Sequence, residues 1–164
     1  MSFPIAPPFP ARDLIFQFFW SFATFECAMK RGGFCKAARR YSTAEPNWPA
    51  FEEAIRVTAL GSESFNVAAK ALIGLAPKCQ IVVDGKLGWE TAQQGTADDV
   101  EYALFLLRTV RNNLFHGGKY EHGGPVQDVA RDTEILTAAV ALLGECYKLD
   151  ERVHANVDQL LHAA

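Results

Sequence analysis

A chain of 164 residues, 49% of them hydrophobic and with twelve phenylalanines, carries enough apolar side chain for one packed domain. That excludes a disordered chain and leaves no room for two full-sized domains. A net charge of −3 and an isoelectric point near 5.8 exclude a broad, tight nucleic-acid-binding surface and suit transient encounters.

In chain order, the first ten residues hold four prolines and read as an extended arm. Met1-Ser2-Phe3-Pro4 lacks the basic start and continuous apolar core of a secretion signal, so a cytoplasmic location is expected. The first helix is predicted over about Arg12 to Lys30, with Leu14, Phe18, Phe22, Phe25 and Met29 on one face. Phe16, Phe19 and Trp20 widen that stripe, which fits either a large core or a homodimer seam. Leu14 to Phe25 is uncharged but spans only twelve residues, short of the ~20 that cross a bilayer, so no membrane partner is expected.

Glu45-Pro46-Asn47-Trp48-Pro49 opens a second helix through about Leu60, and a third runs from about Ser64 to Leu75 before Pro77. Ile81 to Trp89 contains the Asp84-Gly85 hairpin signal. Two short strands alone are marginal, so a loop or small flap is predicted there. The next helix starts at Asp98 with acids suited to a helix N-terminus and repeats apolar residues at Val100, Ala103, Leu104, Leu107, Val110 and Leu114. Gly117-Gly118 stops it. Pro125 is predicted to start a long helix with Val129, Thr133, Leu136, Val140, Leu143 and Tyr147 on one side. A last helix, about Glu151 to His162, carries Val153, Val157, Leu160 and Leu161. The fold class expected is all-α, a single-domain bundle of five or six helices over residues 1–164.

The chemistry concentrates at the end of the fourth helix, in Arg111-Asn112-Asn113-Leu114-Phe115-His116-Gly117-Gly118-Lys119-Tyr120. Arg111 is permanently charged and offers a planar fork of donors for a phosphate. His116 sits where the negative end of a helix dipole favours the protonated ring. Asn112 and His116, four apart, share a helix face, whereas Arg111 and His116 lie about 140° apart round the axis at ~3.6 residues per turn. The long arginine side chain can bridge that angle.

An Arg-x-x-x-x-His with a polar residue after the Arg, ending a long helix in an all-helical chain, resembles the HEPN superfamily. Arg-Asn-Asn-Leu-Phe-His-Gly-Gly-Lys looks like one branch of it. The resemblance extends to Phe25-Glu26 with Lys30-Arg31-Gly32-Gly33-Phe34, to the segment from Gln80 to Trp89 and to the long helix after Pro125. It implies a metal-independent endoribonuclease without cofactor, often a toxin or phage-defence effector with an antitoxin partner, working as a homodimer with both protomers lining one cleft. Under that resemblance Arg111 would stabilise charge growing on the phosphate. His116 would move the proton of the ribose 2′-hydroxyl or the leaving 5′-oxygen, and Asn112 would orient the phosphate or the imidazole. DNA lacks the internal nucleophile and should not be cut.

Around these, Asn113, Lys119, Tyr120, Lys30 and Arg31 are candidate RNA contacts, and Glu26 a candidate support, although Glu26 and Lys30 could equally form an ordinary intrahelical pair. Lys30, Arg31, Lys36, Arg39 and Arg40, with no acid between Glu26 and Glu45, form either a solvated loop or a strand-guiding patch. His122, His154 and His162 read as surface residues without arranged partners. Cys27, Cys35, Cys79 and Cys146 lack zinc-ligand spacing and read as reduced, mostly buried thiols of a cytosolic protein. Two other readings stay open: a noncatalytic RNA-binding, nucleotide-binding or protein-interaction module, and an Arg, Asn and His that simply close a helix end.

Overall fold

The computed structural model describes residues 12–36, 43–95, 97–115 and 129–162. Among these described residues six helices run in the order α1 (Arg12–Arg31), α2 (Trp48–Gly61), α3 (Glu63–Leu75), α4 (Asp99–Phe115), α5 (Val129–Cys146) and α6 (Glu151–His162). Strands β1 (Lys78–Val83) and β2 (Lys86–Thr91) lie between α3 and α4. The expected mainly helical bundle is therefore observed, with every described helix within two residues of its expected start or end. The expected start at Pro125 lies outside the described residues. Among the described residues no helix is long and apolar enough to cross a membrane.

Local chemistry sets the boundaries. The Asn47 side chain caps α2 by accepting from Ala50 N at 3.3 Å, and Pro49 sits in the first turn where no amide is missed. Ser62 serves twice, closing α2 and capping α3 through Phe65 N at 3.3 Å. Asp98 caps α4 by accepting from Glu101 N at 2.9 Å. At the start of α6, Asp150 accepts from the amides of Arg152 and Val153 at 3.0 and 3.2 Å.

Helix α4 is the centre of the bundle. Val100, Ala103, Leu104, Leu106 and Leu107 are fully buried, with Tyr102, Thr109 and Val110 nearly so, so burial extends well beyond a single stripe. Helix α3 packs against α4 and α5, and α1 against α5 and α6. The expected face of α1 is buried at Phe18, Phe22, Phe25 and Met29, joined by Ala28. These rings meet Trp48 and Phe51 of α2: Phe25 stands edge-on to Phe51 at 5.4 Å, and Phe34 does the same at 5.3 Å. On α5 the buried set is Ile135, Leu136, Ala138, Ala139, Leu142, Leu143 and Cys146. That stripe is turned slightly from the expected one, with Val140 and Tyr147 at its margin.

Where a loop or flap was expected, β1 and β2 form a regular antiparallel hairpin paired from Lys78↔Thr91 to Val83↔Lys86. Asp84 and Gly85 take φ values of 50° and 75°, the left-handed pair that a two-residue hairpin turn requires. The strands are not on their own. Asn113 of α4 donates to the Lys78 carbonyl at 2.8 Å, and the Tyr102 hydroxyl donates to the Ala92 carbonyl at 2.7 Å just beyond β2. Both legs are thus tied to the central helix, which overcomes the marginal stability of two isolated strands.

Candidate functional site

Arg111 lies in the last turn of α4, with its side chain 35% exposed. Its guanidinium is held from three directions. Nη1 donates to Asn112 Oδ1 at 3.0 Å. Nη2 faces Glu26 Oε2 of α1 at 3.7 Å. The group also lies over the rings of Phe22 and Phe115 at 5.8 and 5.0 Å. The structure thus brings together Arg111, Asn112 and Glu26. His116, Lys119 and Tyr120 lie outside the described residues.

Other expected site residues take different positions. Asn113 spends its side-chain amide on the hairpin base, so its visible work is structural. Glu26 turns to Arg111 and Trp48, and among the described residues it forms no ion pair with Lys30. Arg31 is exposed and Lys30 half-buried at the end of α1. Lys36 of the basic run pairs with Glu45 at 2.9 Å, because the chain returns on itself at the Cys35↔Pro46 bridge. Arg39 and Arg40 lie outside the described residues, as does His122.

His162 is exposed and the thiols are free, as expected, but the histidines have partners and the thiols are less buried than expected. His154 has partners: Nε2 is 3.3 Å from Asp158 Oδ2, and the ring lies tilted against Tyr147 at 4.8 Å between centroids. His162 Nδ1 lies 2.7 Å from the Asp158 carbonyl. Their four-residue spacing along α6 brings these groups together. All four cysteines are free, but only Cys146 is buried; burial pushes its thiol well above the ordinary cysteine range. Cys27, Cys35 and Cys79 are half-buried because the elements carrying them border the surface.

Behind Arg111 runs a charged seam between the antiparallel α2 and α4. Arg108 Nη2 lies 3.1 Å from Glu52 Oε1, and Arg56 pairs with Asp98 at the opposite end. Arg108 also sits over the Trp48 ring at 5.5 Å. The Trp48 indole, only 6% exposed, donates Nε1–H to Glu26 Oε1 at 3.1 Å. One chain of contacts therefore leads from Glu52 through Arg108, Trp48 and Glu26 to Arg111.

Glu52 is the electrostatic outlier. Burial, the largest influence, pushes its pKa up. Arg108 and Arg56 pull it down, while Glu101 and Asp98 oppose them. Oε1 faces Arg108 without hydrogen-bond geometry, so the pair acts through charge more than through a directed bond. Neither Glu52, Arg108 nor Trp48 stood out among the expected site residues. The available signal was an acid inside the apolar stripe Trp48, Phe51, Ile55, Ala59, and a second arginine one turn before Arg111.

No family model, curated protein or solved structure matches the chain. The site's chemistry therefore rests on its own geometry. Beside Arg111 lies an apolar surface: Phe16, Phe19, Trp20 and Phe115 are 66, 42, 54 and 52% exposed. Phe19 contacts Phe115 at 5.3 Å and Phe16 stacks on Trp20 at 6.5 Å. Among the described residues no cluster of three or more His, Cys, Asp or Glu could hold a metal ion.

Proposed function

We propose that this chain is a metal-independent endoribonuclease of HEPN type, acting as a homodimer and serving as a toxin or phage-defence effector with an antitoxin partner. The observation that carries the reading is Arg111, a half-open guanidinium at the end of the central helix with Asn112 bonded to it and the His116 position next along the chain. A fixed fork of donors at that place suits a phosphate oxygen. In this reading the ribose 2′-oxygen attacks phosphorus as His116 moves its proton. The bond to the 5′-oxygen breaks, leaving a 2′,3′-cyclic phosphate and a 5′-hydroxyl. The exposed aromatics of α1 and α4 form the seam that brings a second Arg111 and His116 to the same cleft.

The test is cleavage of end-labelled RNA in excess EDTA. Persistent cleavage that is lost in Arg111→Ala and in His116→Ala, with melting and dimer mass unchanged, supports the reading. A single 2′-deoxy substitution at the cut position should also block it. RNA binding without cleavage by the wild-type protein favours the noncatalytic alternative, and unfolding of both variants favours a helix-closing role.

A further inference from the structure

We propose that Trp48, acting through Glu26, is a positioning residue for Arg111. The inference rests on the reading of Arg111 as the phosphate-gripping group and adds to it the device that aims the guanidinium. The two oxygens of Glu26 have separate tasks. Oε1 accepts from the buried indole Nε1–H at 3.1 Å, and Oε2 faces Arg111 Nη2 at 3.7 Å. A carboxylate held by one rigid donor has a fixed plane, so its second oxygen occupies a defined place.

Trp48 is itself buried and closely packed. It lies against Phe22 at 5.7 Å, Phe25 at 5.8 Å and Phe51 at 6.2 Å, with Arg108 over its face. The rigidity of the aromatic core thereby reaches a surface arginine through a single hydrogen bond. The separation of 3.7 Å is long for a hydrogen-bonded ion pair. Glu26 therefore orients Arg111 without saturating its donors and leaves them available to a phosphate. A flexible arginine in the same position would have to be ordered by the substrate during each turnover.

Two substitutions separate the parts. Glu26→Gln keeps an oxygen for Trp48 and removes the charge facing Arg111. Trp48→Phe keeps that charge and removes the donor; should the smaller ring loosen the core, the benzothienylalanine analogue at position 48 retains the ring shape with sulfur in place of N–H. The direct readout is rotation of the Arg111 guanidinium about its Cζ–Nε bond, followed by NMR in the full chain. Both changes should speed that rotation severalfold, with melting nearly unchanged in Glu26→Gln and in the benzothienylalanine analogue. In the cleavage assay kcat should fall on the order of tenfold or more, while KM holds or falls in Glu26→Gln because the acid no longer competes with phosphate for Arg111. Unchanged guanidinium rotation in the folded variants overturns the proposal, whether or not RNA is cut. Faster rotation in a protein that never cleaves RNA leaves the positioning role standing and removes the ribonuclease reading.

Discussion

Asn113 donates its side-chain amide to the carbonyl of Lys78 across a sequence separation of 35 residues, joining the turn of α4 that carries Arg111 to the first residue of the hairpin. The bond explains why an asparagine adjoining Arg111 and Asn112 serves the fold. Asn113→Ala should cost about 1 kcal/mol, the ordinary worth of one hydrogen bond. The loss should appear as faster amide exchange in Lys78–Thr91 with little change in the helices. On the proposed ribonuclease reading, RNA affinity should stay within about twofold of wild type, whereas a larger loss would make Asn113 a substrate contact.

Glu52 gives the protein a pH signature. Its folded pKa is raised by burial, so the fold favours the neutral acid. As pH rises through the usual glutamate range, the unfolded chain ionises before the folded chain does. Glu52 therefore subtracts stability progressively until pH passes the raised folded value. Urea unfolding of wild type and Glu52→Gln over a pH series should show the variant gaining relative to wild type as pH rises, then levelling off. A difference independent of pH would mean that Arg108 compensates Glu52 fully.

Asp150 works in the opposite direction. Burial acts to raise its pKa, but the Arg152 side-chain hydrogen bond, the amides of Val153 and Arg152 and the guanidinium charge outweigh it and hold the carboxyl below the usual range. Its stabilisation is complete above the unfolded pKa and is lost as pH falls through the lowered folded value. Asp150→Ala should cost about 1 kcal/mol near neutrality. Asp150→Asn should keep most of the cap and lose the acid dependence, as measured by thermal melting at two pH values.

The aromatic surface of α1 yields a test by mass. Phe16 and Trp20 stack on each other and are largely exposed, so replacing both by serine should leave melting of the protomer nearly unchanged. If they form the homodimer seam, the double variant should weaken dimerisation by at least about tenfold, as loss of an aromatic anchor does. Light scattering on a dilution series measures this. Equal dimer strength in variant and wild type would exclude this face as the seam.

The helices were readable from the sequence because their periods are strong and their ends are marked: Asn47 with Pro49, Ser62, Asp98 and Asp150 each place an oxygen before a helical run. The hairpin was underestimated because strand pairing was weighed without its neighbours. The tethers from Asn113 and Tyr102 arise only once α4 is packed, and no local pattern in residues 78–91 announces them. The same limit applies to the surroundings of Arg111. A motif reading finds Arg111 and Asn112 because they are adjacent, but Glu26 and Trp48 reach the site from other helices. Glu26 entered the expected set through a family resemblance, and Trp48, one aromatic among many, carried no mark of its role. Lys30 and Glu26 illustrate the converse: an i, i+4 spacing permits a pair, and a competing arginine from another helix took the acid instead.

The deep burial of Leu104, Leu106 and Leu107 on α4 makes the phase between core and motif a quantity that the chain must conserve. Inserting or deleting one residue between Leu107 and Arg111 would turn the guanidinium about 100° and move it about 1.5 Å along the axis, carrying it away from Glu26 while the aliphatic side chains keep their seats. Divergent versions of this fold could therefore exchange leucine for other aliphatic residues throughout the helix, yet the spacing that separates its interior from its terminal cation would have to be inherited without gaps.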